Sequence, residues 1–149
     1  MVFRPFVVAC CLAFGVSAHA ADDAEVRQWL NEFVGSSIVL QELAAGHCSE
    51  FLRGERGDID RSYAWGAALA SPDFRVQAER SKAQVIAQAR SNASRWVANE
   101  FRSVPDARRL QRTCGIYAGM FRTIRDAAET ELEDIEYRQK GRVTPRRER

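Results

Sequence analysis

The sequence predicts an all-α fold: a small antiparallel bundle of four to five helices carrying one intrachain disulfide. Three observations carry this expectation. Apolar residues recur at three- and four-residue steps through most of residues 22–139, with no convincing two-residue alternation. Capping residues and prolines punctuate the pattern at Asp22, Ser71-Pro72 and Asp106. Two cysteines, Cys48 and Cys114, remain once an N-terminal export signal is set aside.

That signal is "MVFRPFVVACCLAFGVSAHA", with Arg4 first, an apolar run through Phe14, and small residues at Ala18 and Ala20. The order matches a cleavable secretory leader over residues 1–20, cut after Ala20, and places the mature chain in the periplasm. Val7 to Cys10 resembles a lipoprotein box, but the apolar stretch before it is shorter than such signals use. No later stretch approaches the roughly 20 apolar residues of a membrane helix, so no integral membrane segment is expected. Cleavage removes Cys10, Cys11 and His19 and leaves one domain over residues 21–139, followed by a basic, disordered tail at 140–149. In an oxidising compartment the two remaining cysteines are expected to pair.

Each helix has a local reason. The first opens at Asp22, which has capping-box spacing to Glu25, and carries Val26, Trp29, Leu30, Phe33 and Val34 as one apolar stripe. Gly35-Ser36-Ser37 is a place where it could kink or split, and Gly46 is its stop. Residues 46–59, "GHCSEFLRGERGDI", hold three glycines and mixed charges and read as a loop. A short helix follows over about 60–70, with Tyr63 and Trp65 expected in the core. Ser71-Pro72 then starts a long helix to about Arg102. Pro105 stops it, and Ser103 or Asp106 caps the last helix, which runs to about Gln139. Its stripe is Leu110, Cys114, Tyr117, Phe121, Ile124, Ala128, Leu132 and Ile135. Gly115 and Gly119 lie on its flank, where close approach of a neighbouring helix would offset their poor helix propensity. The acidic run Glu129, Glu131, Glu133, Asp134 and Glu136 reads as a solvated face.

Charge and motif content narrow the function by exclusion. The chain has 22 basic and 20 acidic residues. Setting aside Arg4 and the tail from Arg138 leaves 15 bases against 19 acids in residues 21–137. A basic patch suited to nucleic acid therefore exists only in the tail, and no nucleic-acid partner is expected. His47 is the one mature histidine and stands beside Cys48. A Cys–His nucleophile needs a free thiolate, which a disulfide removes, and no G-x-S-x-G element supports a serine triad. C-x-x-C, H-x-x-x-H and C-x-x-C-H spacings are absent, as is a Gly-rich phosphate loop, so neither a metal nor a cofactor is expected. A carboxylate mechanism built on Glu50, Glu55, Asp58 or Asp60 would need a carboxyl of raised pKa in a cleft, and the chain carries no Glu-Ser helix end like that of lytic transglycosylases.

A non-enzymatic protein-binding role remains. A loop tethered at Cys48 presents contacts at reduced ordering cost, and Phe51, Arg53, Glu55, Arg56 and Asp58 are the candidate contacts. Phe51 and Leu52 read equally well as core. The segment "LQRTCGIYAGMF", with Cys114 and Tyr117 on one late helix, taken with the export signal, the helical body and the two widely spaced cysteines, resembles the immunity proteins that neutralise type VI secretion amidase effectors. The resemblance implies a helical, disulfide-linked, dimeric protein that blocks a peptidoglycan-cleaving amidase. An envelope chaperone or assembly factor is the alternative expectation, and a cell-wall glycosidase the third.

Overall fold

The computed structural model describes residues 22–55, 57–104 and 106–142. The expected leader at 1–20, the candidate contact Arg56 and the expected tail beyond Arg142 lie outside the described residues. Among the described residues there are four helices: α1 (Asp23–Ala45), α2 (Ile59–Ala67), α3 (Pro72–Phe101) and α4 (Ala107–Arg142).

α1 is the hub. The Asp22 side chain accepts from the Ala24 amide at 3.1 Å and starts the helix. The second half of the expected capping box does not form. Glu25 instead accepts from Arg138 at 3.1 Å, which ties the start of α1 to the end of α4. Buried residues along α1 are Val26, Leu30, Phe33, Val34, Ser36, Ile38, Leu40 and Leu43. They occupy more than one face, as a helix packed on several sides requires, and α1 packs against all three other helices. Gly35-Ser36-Ser37 does not split it. The buried Ser36 hydroxyl donates to the Glu32 and Phe33 carbonyls at 2.6 and 3.1 Å, so it is satisfied within an unbroken helix.

Consecutive elements run in opposite directions, so α1 and α3 run parallel. At one end, Asp23 accepts from both the Ser71 amide (2.8 Å) and the Ser71 hydroxyl (2.6 Å). At the other, the His47 ring stacks on Phe101 at 5.0 Å. The Ser71 hydroxyl also accepts from the Phe74 amide at 3.2 Å, with Pro72 in the first turn, so one residue caps α3 and joins it to α1. The Ser71 bonds hold the Asp23 carboxyl below its ordinary value.

The second descending element is half helix and half loop. α2 has only nine residues; Asp58 caps it by accepting from the Arg61 amide at 3.1 Å. It ends at Ala67, three residues short of the expected end. Residues 68–70 close as a tightened turn, with Leu69 donating to Gly66 and Ala70 to Ala67. Tyr63 is buried, as expected of a core residue, whereas Trp65 is half-buried and packs against the core's edge, meeting Phe33 edge-on at 6.0 Å. Gly66 allows α2 to approach this closely: a β-carbon there would stand 2.6 Å from Leu30 Cδ1.

α4 begins at the Asp106 cap, which accepts from the Arg109 amide at 2.8 Å. It continues to Arg142, so residues 140–142 of the expected tail are helical. Cys114, Ala118, Ala128, Leu132 and Ile135 form its buried stripe. One expectation is overturned. Gly115 and Gly119 are exposed, and a β-carbon at either would meet nothing within 4 Å. Among the described residues, no other helix approaches them.

Candidate binding site: an anchored loop beside an open groove

Residues 46–55 and 57–58 occupy the level of the bundle that α2 is too short to reach. The loop is made of turns: Cys48 donates to the Leu43 carbonyl, Phe51 and Leu52 to the Cys48 carbonyl, and Glu55 to the Leu52 carbonyl. Gly54 takes φ +98°, a conformation that favours glycine.

Both ends of the 48–55 segment are fastened to α4. Cys48 and Cys114 form the expected disulfide, with Cα atoms 5.5 Å apart. At the other end the Glu55 carboxylate accepts from Arg122 Nε at 2.9 Å and from Arg125 Nη1 at 2.6 Å. Cys114 and Arg125 are eleven residues apart on one helix, or about 16 Å. Leu52, 1 % exposed, is driven into the core between the two anchors. Beyond them, Gln41 Nε2 donates to the Gly57 carbonyl at 2.6 Å, and Asp58 caps α2. A loop held at these points has little freedom left to lose on binding.

The loop leaves a groove of about 1010 Å³ against α1 and α3. Its walls are Gln41, Glu42, Ala44 and Ala45 from α1, Arg90 from α3, and loop residues that include Leu52, Arg53, Glu55 and Asp58. A smaller recess of about 250 Å³ lies on the other side of Glu55 and Gly57, lined also by Ser37, Ser62, Arg125 and Glu129.

The expected contacts sort into two groups. Phe51 is 39 % exposed and Arg53 is exposed on the groove, so both are presented outward. Glu55 and Asp58 also border the groove, but their carboxylates are engaged, Glu55 with two arginines and Asp58 with the α2 amide. They hold the loop. The two readings left open for Phe51-Leu52 divide between the residues: Leu52 is core and Phe51 is surface. Sequence reasoning missed Arg90, Gln41, Arg122 and Arg125. Their partners stand 16 to 70 positions away or are set by the groove, and no local pattern marks them.

His47-Cys48 has no nucleophile in this structure, because the Cys48 sulfur is in the disulfide. The exposed His47 ring instead begins an aromatic row that continues through Phe101, Tyr117, Trp96 and Phe121. This row bridges α3 and α4. Tyr117 Oη donates to Glu100 at 2.5 Å, and that bond raises the phenol above its ordinary value.

Burial works to raise the Glu55 carboxyl, but the bonds from Arg122 and Arg125 outweigh it and hold the group below its ordinary value. That is the opposite of what a general acid needs. The sign for stability follows. A depressed carboxylate contributes above the range where the unfolded side chain ionises, about pH 4–5, and its contribution is lost as pH falls through the lower folded value. Glu55→Gln is expected to cost about 1–2 kcal/mol at neutral pH, reduced by the partial exposure of Arg122. It should also flatten the acid limb of stability. Urea titrations at pH 7 and pH 3.5 check this: a constant difference between variant and parent at the two pH values would remove Glu55 as the titrating anchor.

No family model, curated protein or solved structure matches this chain.

Proposed function

We propose that this chain is a non-enzymatic binding protein of the periplasm, an immunity protein or inhibitor that occludes an exported toxin or peptidoglycan-cleaving amidase. The observation that carries the reading is the doubly anchored loop. Phe51 and Arg53 stand on a segment clamped by Cys48–Cys114 and by Glu55 with Arg122 and Arg125, beside an open groove. A rigid aromatic and arginine pair of this kind is what protein interfaces use as energetic anchors. The disulfide accords with an oxidising compartment, and no described helix is long and apolar enough to cross a membrane.

The mechanism is steric. The clamped loop enters or covers the enzyme's cleft, and its low ordering cost favours slow release.

The test uses the purified chain and the toxin encoded beside its gene. Calorimetric titration should give saturable, stoichiometric binding, and hydrolysis of purified peptidoglycan by the toxin should fall in proportion. Phe51→Ala combined with Arg53→Glu should weaken binding by about a hundredfold or more while leaving the melting curve in place. If deleting the gene does not sensitise cells to the toxin, the reading fails. Suppressed aggregation of several unrelated proteins, without stoichiometric toxin binding, would replace it with the chaperone.

A further inference from the structure

From the first half of α4 we infer a docking surface for an anionic lipid bilayer, formed by Arg108, Arg109 and Arg112 with Ile116 and Met120. Arg108, Arg112, Ile116 and Met120 follow at four-residue steps, and Arg109 precedes Arg112 by three, so the five share one helix face. All are exposed, Ile116 by 60 % and Met120 by 43 %. The face is separate from the buried stripe through Cys114 and Ala118.

Nothing within the chain uses these charges. Among the described residues Arg108, Arg109 and Arg112 make no ion pair. Residues 107–122 hold four arginines and no acid, and the fourth, Arg122, is taken by Glu55. The acids that precede them, Glu100 and Asp106, accept from the Tyr117 hydroxyl and the Arg109 amide. The charge balance of the whole body conceals this cluster, because residues 123–136 hold six acids against one arginine. A helix start favours acids, yet the first turn of α4 carries Arg108 and Arg109 and no acid. That placement opposes the helix dipole and points to an anionic partner outside the chain.

The mixture of charge and apolar surface identifies the partner. The arginines draw the helix to anionic headgroups, and Ile116 and Met120, one and two turns beyond Arg112, reach the edge of the acyl region. The bare backbone at Gly115 and Gly119, where a β-carbon would meet nothing within 4 Å, lets the helix lie close to that plane. Nucleic acid would engage the arginines but leave Ile116 and Met120 against water. The face also lacks the aromatic side chains that anchor protein interfaces. The acids of α4 set the tilt. Glu133 and Asp134 are exposed about 20 Å beyond Met120, well past the screening length of about 8 Å. The start of α4 therefore faces the lipid while its acidic half is held away. No described helix is long and apolar enough to cross a membrane, so the contact is peripheral and reversible.

This surface involves neither Phe51 nor Arg53 and stands or falls apart from the inhibitor reading. The test is co-sedimentation of the chain from Ala21 onward, which holds all four described helices, with vesicles of phosphatidylcholine alone or mixed with phosphatidylglycerol. Binding is expected to the mixed vesicles only, and should weaken as salt rises. Arg108→Gln, Arg109→Gln and Arg112→Gln together should lower the partition coefficient by about a hundredfold, at about fivefold for each arginine. Ile116→Ser with Met120→Ser should lower it by about tenfold. The arginine variant breaks no ion pair, and its melting temperature should hold or rise as the opposition to the helix dipole is relieved. Absence of binding to the mixed vesicles overturns the inference. So does equal binding to neutral vesicles, or binding that the arginine variant retains in full. Self-association or duplex-DNA binding through these arginines, without vesicle binding, would assign the face to that partner and overturn it likewise.

Discussion

Replacing both Cys48 and Cys114 by alanine is expected to lower the unfolding free energy by about 4 kcal/mol. The bridge closes a 66-residue separation, and the chain-entropy relation gives a stabilisation of that size. Against a typical total of about 5–15 kcal/mol, this is a large share. Both sulfurs are fully buried in the cluster that holds Leu40, Leu43, Leu52 and Phe101, so the smaller side chains also lose packing there. A second consequence is local. With the disulfide gone, the 48–55 segment keeps Leu52, the Glu55 pairs and the backbone bond from position 48 to Leu43, and its amide protection should fall further than that of α1 or α4. Urea denaturation measures the first effect and hydrogen exchange the second. A stability loss below about 1 kcal/mol would show that the bridge adds little to what the other contacts already hold.

The next largest effect is expected where α1, α2 and α4 meet. Leu30 is 2 % exposed, Leu132 is fully buried, and Gly66 lies against both. Leu30→Ala should cost about 2–5 kcal/mol, the range for a core leucine whose cavity collapses only in part. Gly66→Ala alone should cost about 1–3 kcal/mol, because its β-carbon would stand 2.6 Å from Leu30 Cδ1 in a core with little room to shift. The two are coupled. In the Leu30→Ala background the clashing methyl is gone, and the new methyl at position 66 fills part of the hole. The combined variant should therefore be more stable than the sum of the single losses, by about 1 kcal/mol or more. Four chemical denaturation curves complete the cycle. Strict additivity would mean that Leu30 does not limit the approach of α2.

How much of this was legible in the chain depends on the range of the interaction. The starts of α1, α3 and α4 were, because an N-cap bonds an amide two or three positions ahead: Asp22 to Ala24, Ser71 to Phe74, Asp106 to Arg109; Asp58, which caps α2, had been read as part of the loop. The core position of Tyr63 was legible, whereas Trp65 is half-buried at the core's edge. The unbroken course of α1 through Gly35-Ser36-Ser37 was not, since packing on several sides overrides the local preference of those residues. For Gly115 and Gly119 the same glycine pattern suits a packed flank or an exposed one. Spacing alone cannot tell these apart.

The site divides in the same way. Elimination among the cysteines was enough to pair Cys48 with Cys114, and the mixed loop that follows marked where contacts could be presented. Which of its residues face outward was decided only by the fold. Glu55 and Arg53 are both loop charges two positions apart, yet one is clamped by Arg122 and Arg125 while the other lines the groove. The sequence by itself determined the starts of α1, α3 and α4, the disulfide and the all-α class, because these rest on local geometry or on the two cysteines that lie beyond the expected leader. Tertiary structure alone decided the brevity of α2, the groove beside it, the inward turn of Glu55 and the outward turn of the α4 glycines. Each depends on which helix stands next to which, and that is set by the summed packing of the whole core rather than by any stretch of it.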